Sequence, residues 1–289
     1  MAQGRVGMAA DMTAVAMTTD LGAEIRGIDL SAPLSDACLA RIVELFHRYC
    51  VVFLRNQSLD PRLLVRLAAR FGETGCASLC EQSIPGLPQV SIVGGIHGGV
   101  GAGTPARGAL DWRTDASARS EPSLATLVYA VQCPPEGGCI EFVNLCSVFN
   151  ALPPEKQSFL EALRVVHDRD GLPQRPSTAG RLPLRGEQTK AAAYPLVRLH
   201  PVTRRKALYL GMGTSSRVQN LAPGEGQKLI GELETFATQP RFRYSHRWRR
   251  GDLIIWDNRC TMHRMPPLGP GQERILHRVQ VKGEIPVPA

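Results

Sequence analysis

The sequence predicts a mostly β fold with flanking helices, of the β-sandwich or jelly-roll kind. Three observations lead there. Short apolar runs with strand character recur along the chain, helical patterns are few, and those helices cluster near the N-terminus with one late insertion. At 289 residues the chain is long enough for one large core, and single β or barrel domains of this size are common. Residues 1–19 are expected to be a flexible N-terminus and residues 20–289 a single domain.

Each element has its own justification. LGAEIRGIDLSAPL (21–34) reads as a short hairpin, with Ile25 and Ile28 to Leu30 as strand residues and glycines as punctuation. A helix follows: Ser35 is a good N-cap, and Leu39, Ile42, Val43, Leu45, Phe46 and Tyr49 recur at helical spacing. CVVFL (50–54) is a buried strand candidate. DPRLLVRLAARFG is a second helix with Asp60 as cap, Pro61 in the first turn and Gly72 as stop. SLATLVYAVQ (123–132) and CIEFVN (139–144) are strands on either side of a PPEGG turn, and residues 147–166 read as one helix. YPLVRLH, ALYLGMG, RFRYSHRW and GDLIIWDN are further strands, interrupted by the helix PGEGQKLIGELETFAT. In RFRYSHRWRR, period two sets Arg241, Arg243, Arg247 and Arg249 against Phe242, Tyr244, His246 and Trp248.

Two segments carry no regular pattern. The glycine-rich stretch 94–109 lacks the GK[ST] ending and the strand-turn-helix frame of a phosphate loop, so it reads as an active-site loop. Residues 170–193 are proline-rich and polar, and loops that long in a compact domain tend to be lids or inserts. Both are lid candidates.

Composition excludes several function classes. No apolar run approaches the roughly 18 residues of a membrane span, and Asp11 and Asp20 interrupt what would be the core of a signal peptide; the reading is a cytoplasmic protein. Eight cysteines are scattered without a CxxC pair, the pattern of free thiols rather than of a disulfide frame or a zinc site. The net charge of +8 comes from arginine, since only five of the 34 basic residues are lysine. No zinc finger, RNA-binding aromatic signature or uninterrupted basic run accompanies that charge, so the expected partner is an anionic small molecule, not nucleic acid.

The C-terminal block GDLIIWDNRCTMHRMPPLGPGQERILHRV (251–279), together with LGAEIRGIDLSAPL, VVFLRNQSL and LHPVTRRKALYL, resembles the taurine dioxygenase (TauD/TfdA) family from about residue 20 to about residue 282. The resemblance implies a double-stranded β-helix, Fe(II) and 2-oxoglutarate as cofactors, and oxidation of a small molecule coupled to decarboxylation of 2-oxoglutarate. In such a site two histidines and a carboxylate hold iron on one face and leave open positions for the cosubstrate. The first histidine and the carboxylate come as H-X-D on one strand, where residues i and i+2 point the same way.

Mapped by that resemblance, Asp115 and His263 are the metal ligands, Arg274, eleven positions after His263, takes the distal carboxylate of 2-oxoglutarate, and Arg278 meets an anionic substrate group. His97, in the loop just upstream, is a candidate substrate contact. The family often forms dimers or tetramers, which leaves a homo-oligomer open.

LDWRTDASA (110–118) departs from the pattern, because Arg113 stands where the first histidine belongs. A guanidinium has no lone pair and stays protonated in proteins, so it cannot ligate iron. Ile140 replaces the family's usual 2-oxoglutarate-binding threonine. A replacement metal ligand would have to come from His97, Cys139 or Glu141. Two functions follow: an oxygenase with an altered metal site acting on a small anionic or natural-product substrate, or a metal-free relative that uses its arginines for a non-redox reaction or a binding role. Trp112, Trp248 and Trp256 read as core residues, and His47, His200 and His246 as structural.

Overall fold

A computed structural model describes residues 12–76, 82–95, 112–119, 121–135, 138–167, 192–211, 215–269 and 272–289. In chain order the N-terminal elements are β1 (Thr13–Ala16), β2 (Ala23–Arg26), α1 (Asp36–Tyr49), β3 (Val51–Leu54), α2 (Pro61–Ala69), β4 (Ser83–Ile84) and β5 (Leu87–Gly95). There follow β6 (Ser123–Gln132), β7 (Cys139–Asn144), α3 (Leu145–Asn150), α4 (Pro154–Glu161), β8 (Arg164–His167), β9 (Ala192–Pro195), β10 (Val197–Leu199), β11 (Lys206–Leu208) and β12 (Ser215–Val218). The chain closes with α5 (Pro223–Ala237), β13 (Arg243–Arg247), β14 (Leu253–Asp257), β15 (Thr261–Arg264) and β16 (Arg274–Lys282).

Alternation builds the layers. The large sheet runs β1-β2-β3-β14-β6-β16-β5-β4. On three of its central strands, Val52 and Leu54, Leu253 and Ile255, and Ala125 and Leu127 face one cluster with the buried stripe of α1. Their neighbours Val51, Phe53, Ile254, Trp256 and Val128 face a second cluster. That second core is closed by the three-stranded sheet β13-β7-β15 and by α3 and α5. Strands buried on both faces lose their polar alternation and read as the continuous runs VVFL and LIIWD. The result is the jelly roll that the sequence predicts, with helices outside the large sheet.

The caps match their residues. Ser35 Oγ accepts from the Cys38 amide at 3.2 Å, and Asp60 accepts from Leu63 at 2.8 Å. Cys50 closes α1 in the left-handed region at φ 60° and leads directly into β3.

Several expectations are corrected. Within the supposed flexible N-terminus, Thr13–Ala16 pairs antiparallel with Arg26–Ala23, because an open sheet edge offers that short β-prone run a ladder. The expected hairpin at 21–34 is one strand only: β2 pairs with β1 and, in parallel, with β3, and residues 28–34 hold no strand. Residues 147–166 are not one helix. Leu152, Pro153 and Pro154 break it, since proline lacks the amide and disfavours helix in the residue before it, and the apolar end becomes β8. Arg241 sits in a short 3-10 turn (Pro240–Phe242) rather than in β13. Of the lid candidates, Gly94, Gly95 and Ala192, Ala193 end β5 and begin β9; residues 96–109 and 170–191 lie outside the described residues.

Candidate functional site

The site begins with one cross-strand pair. Arg113 and His263 exchange both backbone hydrogen bonds, each at 2.9 Å, so their side chains leave the same face side by side. Thr114 points the other way and reaches the carbonyls of Leu210 and Thr261, each at 3.1 Å. Asp115 returns to the face of Arg113, and the chain then turns sharply at Ala116, φ 56°. The i, i+2 reading of RTD thus holds in space.

Asp115 is tethered from behind by a chain of donors. Trp256 Nε1 donates to Asn258 Oδ1 at 2.9 Å, Asn258 Nδ2 to Thr126 Oγ1 at 2.8 Å, and Thr126 Oγ1 to Asp115 Oδ2 at 2.9 Å. That leaves Oδ1 facing inward, 3.5 Å from His263 Nε2 and 3.9 Å from Arg113 Nε. The imidazole is held against Trp256, with ring centroids 4.8 Å apart.

Electrostatics set the protonation states. Burial pushes the Asp115 carboxyl up, but the charges of His263, Arg278 and Arg113 and the bond from Thr126 outweigh it and bring the pKa to about 2. Burial drives His263 down to about 3, opposed by Asp115 and reinforced by Arg113 and Arg278. At neutral pH the site therefore presents an ionised carboxylate and a neutral imidazole, the states that metal ligands require.

The structure brings Arg113, Asp115, His263 and Arg278 into one pocket, walled by Ile140, Val128 and Leu276. Arg274 lies on the same face of β16 as Leu276 and Arg278. It is buried, its Nε and Nη1 have no hydrogen-bond partner among the described residues, and burial lowers its pKa. His97 lies outside the described residues. Glu141 is removed from the reserve ligands: it alternates to the face opposite Ile140 and is ion-paired with Arg264. Cys139 alternates away as well.

Sequence reasoning missed Thr126, Asn258 and the donor role of Trp256. The available signal was a polar residue, Thr126, on the inward face of an apolar strand. A separate group, His200, Asp257 and Cys260, also places donor atoms within 4.8 Å of one another. Asp257 is already engaged there by two guanidinium bonds from Arg259 and by His200 at 2.9 Å, so this group is an ion-pair network.

Sequence and fold comparisons agree on the class. Residues 13–280 match the family model for the taurine catabolism dioxygenase TauD, TfdA family. The chain is 32% identical over 260 residues to the alpha-ketoglutarate-dependent 2,4-dichlorophenoxyacetate dioxygenase of Cupriavidus pinatubonensis, covering 84% of this chain and 88% of that one. It is 26% identical to pentalenolactone F synthase of Streptomyces arenae, covering 90% and 91%. A crystal structure of a taurine dioxygenase from Burkholderia xenovorans superposes with TM-score 0.82 at 28% identity, covering 96% of this chain and 91% of that one.

This chain belongs to the TauD/TfdA family, whose members are Fe(II)- and 2-oxoglutarate-dependent dioxygenases of small substrates. It is by type a 2-oxoglutarate-dependent oxygenase of the TauD/TfdA kind.

Proposed function

We propose that the chain is a 2-oxoglutarate-dependent dioxygenase-like enzyme with an altered metal site that acts on a small anionic molecule. The observation that carries this reading is Arg274, a buried cation with two unpartnered nitrogens on the strand face that runs into the pocket of Asp115 and His263. A buried guanidinium without a counter-charge is costly, and a carboxylate matches its fork bidentately. In this reading Arg274 binds the distal carboxylate of 2-oxoglutarate and Arg278 the anionic group of the substrate. His97 is kept as a substrate contact on its sequence position alone.

The donor set fits a divalent metal only in part. Asp115 and His263 stand ready, with Oδ1 and Nε2 3.5 Å apart; Arg113 completes no three-residue set, so this pair alone does not define an oxidative step. In this reading Thr126 fixes the carboxylate, Trp256 fixes the imidazole, and His263, Arg278 and Arg113 together hold the Asp115 carboxyl low. Relatives named for a phenoxyacetate, for taurine and for pentalenolactone F support an anionic or natural-product substrate. The seven described cysteines are free thiols, which fits a cytoplasmic setting; among the described residues no helix is long and apolar enough to cross a membrane.

One observation favours a second reading, a metal-free protein with a non-redox or binding role. Arg113 Nε lies 3.9 Å from Asp115 Oδ1 and so supplies a counter-charge without any metal. The test is release of succinate from 2-oxoglutarate with Fe(II) and a panel of small carboxylates, sulfonates and sulfate esters. Substrate-stimulated release that disappears in Arg274→Met supports the first reading. Binding of 2-oxoglutarate or a panel anion without succinate under any condition supports the second.

A further inference from the structure

Trp248 reads from the sequence as a core residue, and its position agrees: it is 3% exposed and packs in the second cluster. A phenylalanine would serve that purpose without a polar atom. The indole Nε1, however, is buried with no hydrogen-bond partner among the described residues, whereas the indole of Trp256, also buried, donates to Asn258. Buried polar groups in folded proteins are nearly always paired, and an orphan calls for an explanation.

The orphan has a meaningful address. Trp248 follows β13, and its amide donates to the Gly138 carbonyl at 3.3 Å, at the start of β7. Its ring walls the pocket together with Ile140, Leu276 and Arg278. Arg274 is one strand period beyond Leu276 on that face, at the start of β16. Trp248 and Arg274 thus both border Leu276, Trp248 across the pocket and Arg274 along β16. Between them they hold three buried partnerless nitrogens, Trp248 Nε1 and Arg274 Nε and Nη1, and all three are donors. Ile140, in the same wall, offers none.

We infer that Trp248 is a positioning residue for the cosubstrate: its indole N–H is the neutral donor that, with the Arg274 fork, completes a three-donor site for one carboxylate. An ionised carboxylate is an acceptor with two oxygens and about four lone-pair directions, so it satisfies all three nitrogens at once, which a water or a hydroxyl does not. The inference rests on the reading of Arg274 as the 2-oxoglutarate site.

The test uses the full chain and 2-oxoglutarate itself, without iron, so that no turnover intervenes. Calorimetric titration compares native protein, Trp248→Phe and Arg274→Met, and the indole resonances of protein labelled with [15N]tryptophan are followed in the native chain, which needs no variant to fold. The expected results are roughly tenfold weaker binding in Trp248→Phe, the size of one neutral hydrogen bond to an anion, an unliganded melting temperature no lower than native by more than a few degrees, and a downfield move of one indole N–H on saturation. Weakened binding in Arg274→Met with native affinity in Trp248→Phe and unmoved indole signals overturns the role of Trp248 alone. Equal binding in native protein and Arg274→Met overturns the underlying reading.

Discussion

Replacing Arg274 by methionine exchanges stability against ligand response, and the structure sets both sizes. Nε and Nη1 are buried without partners, and each unsatisfied buried donor costs about 1–3 kcal/mol. Methionine keeps most of the apolar stem and discards the orphans, so the unliganded variant should gain about 2–6 kcal/mol. For a domain of this size that corresponds to a rise of roughly 4–10 °C in Tm. The ligand response moves oppositely. Two charge-assisted bonds to a carboxylate contribute about 1.5–3 kcal/mol each, so affinity for 2-oxoglutarate should fall more than about 100-fold. Native protein at a hundred times its Kd gains about 2.7 kcal/mol from ligand, and the variant should gain almost none. Thermal unfolding with and without 2-oxoglutarate reads both. A variant that melts below native without ligand, yet shifts as far with it, would refute the assignment of Arg274 as an orphan awaiting a carboxylate.

Other outcomes follow from the same site. Thr126→Val removes the donor to Asp115 Oδ2 and the acceptor for Asn258 with little change of shape, and should lower stability by about 1–3 kcal/mol in denaturant unfolding. Stability should also fall in mild acid. His263 and His167 are both held near pKa 3 by burial, below the ordinary 6.5, so the unfolded chain takes up protons first. Their contribution is complete above pH 6.5 and declines as pH falls toward 3, by about 2 kcal/mol per histidine at pH 5. Asp115, at about 2, adds a further loss only between about pH 4 and pH 2. Urea unfolding at pH 7.5 and pH 5 checks this, and His263→Phe should flatten the dependence.

How much is legible in the sequence depends on where each signal resides. The strands VVFL, SLATLVYAVQ and LIIWD are apolar because they are central and covered on both faces, so composition alone locates them. Segment 147–166 misleads because α3, α4 and β8 share one apolar pattern, and only Pro153–Pro154 marks the break. β1 escapes notice because a four-residue edge strand has almost no signal of its own. At the site, Arg113, Asp115 and His263 are visible as motif positions. Thr126, Asn258 and Trp248 act through partners far away in sequence, or through the lack of one, and strand alternation does not register that.

In the proposed function Asp115 and His263 remain a metal half-site and Arg113 opposes its completion. Where a guanidinium stands about 4 Å from a dication, the repulsion is about 8 kcal/mol at an effective dielectric near 20; even a third of that surviving side-chain rearrangement is roughly a 100-fold loss of affinity. The measurement is an anaerobic titration with Fe(II) and 2-oxoglutarate of the native protein and of Arg113→His, following the visible charge-transfer band of the chelated cosubstrate. The expected result is a band in Arg113→His at Fe(II) concentrations at least 100-fold below those the native protein needs. Equal titration of the two proteins, or a band in neither, would contradict the claim.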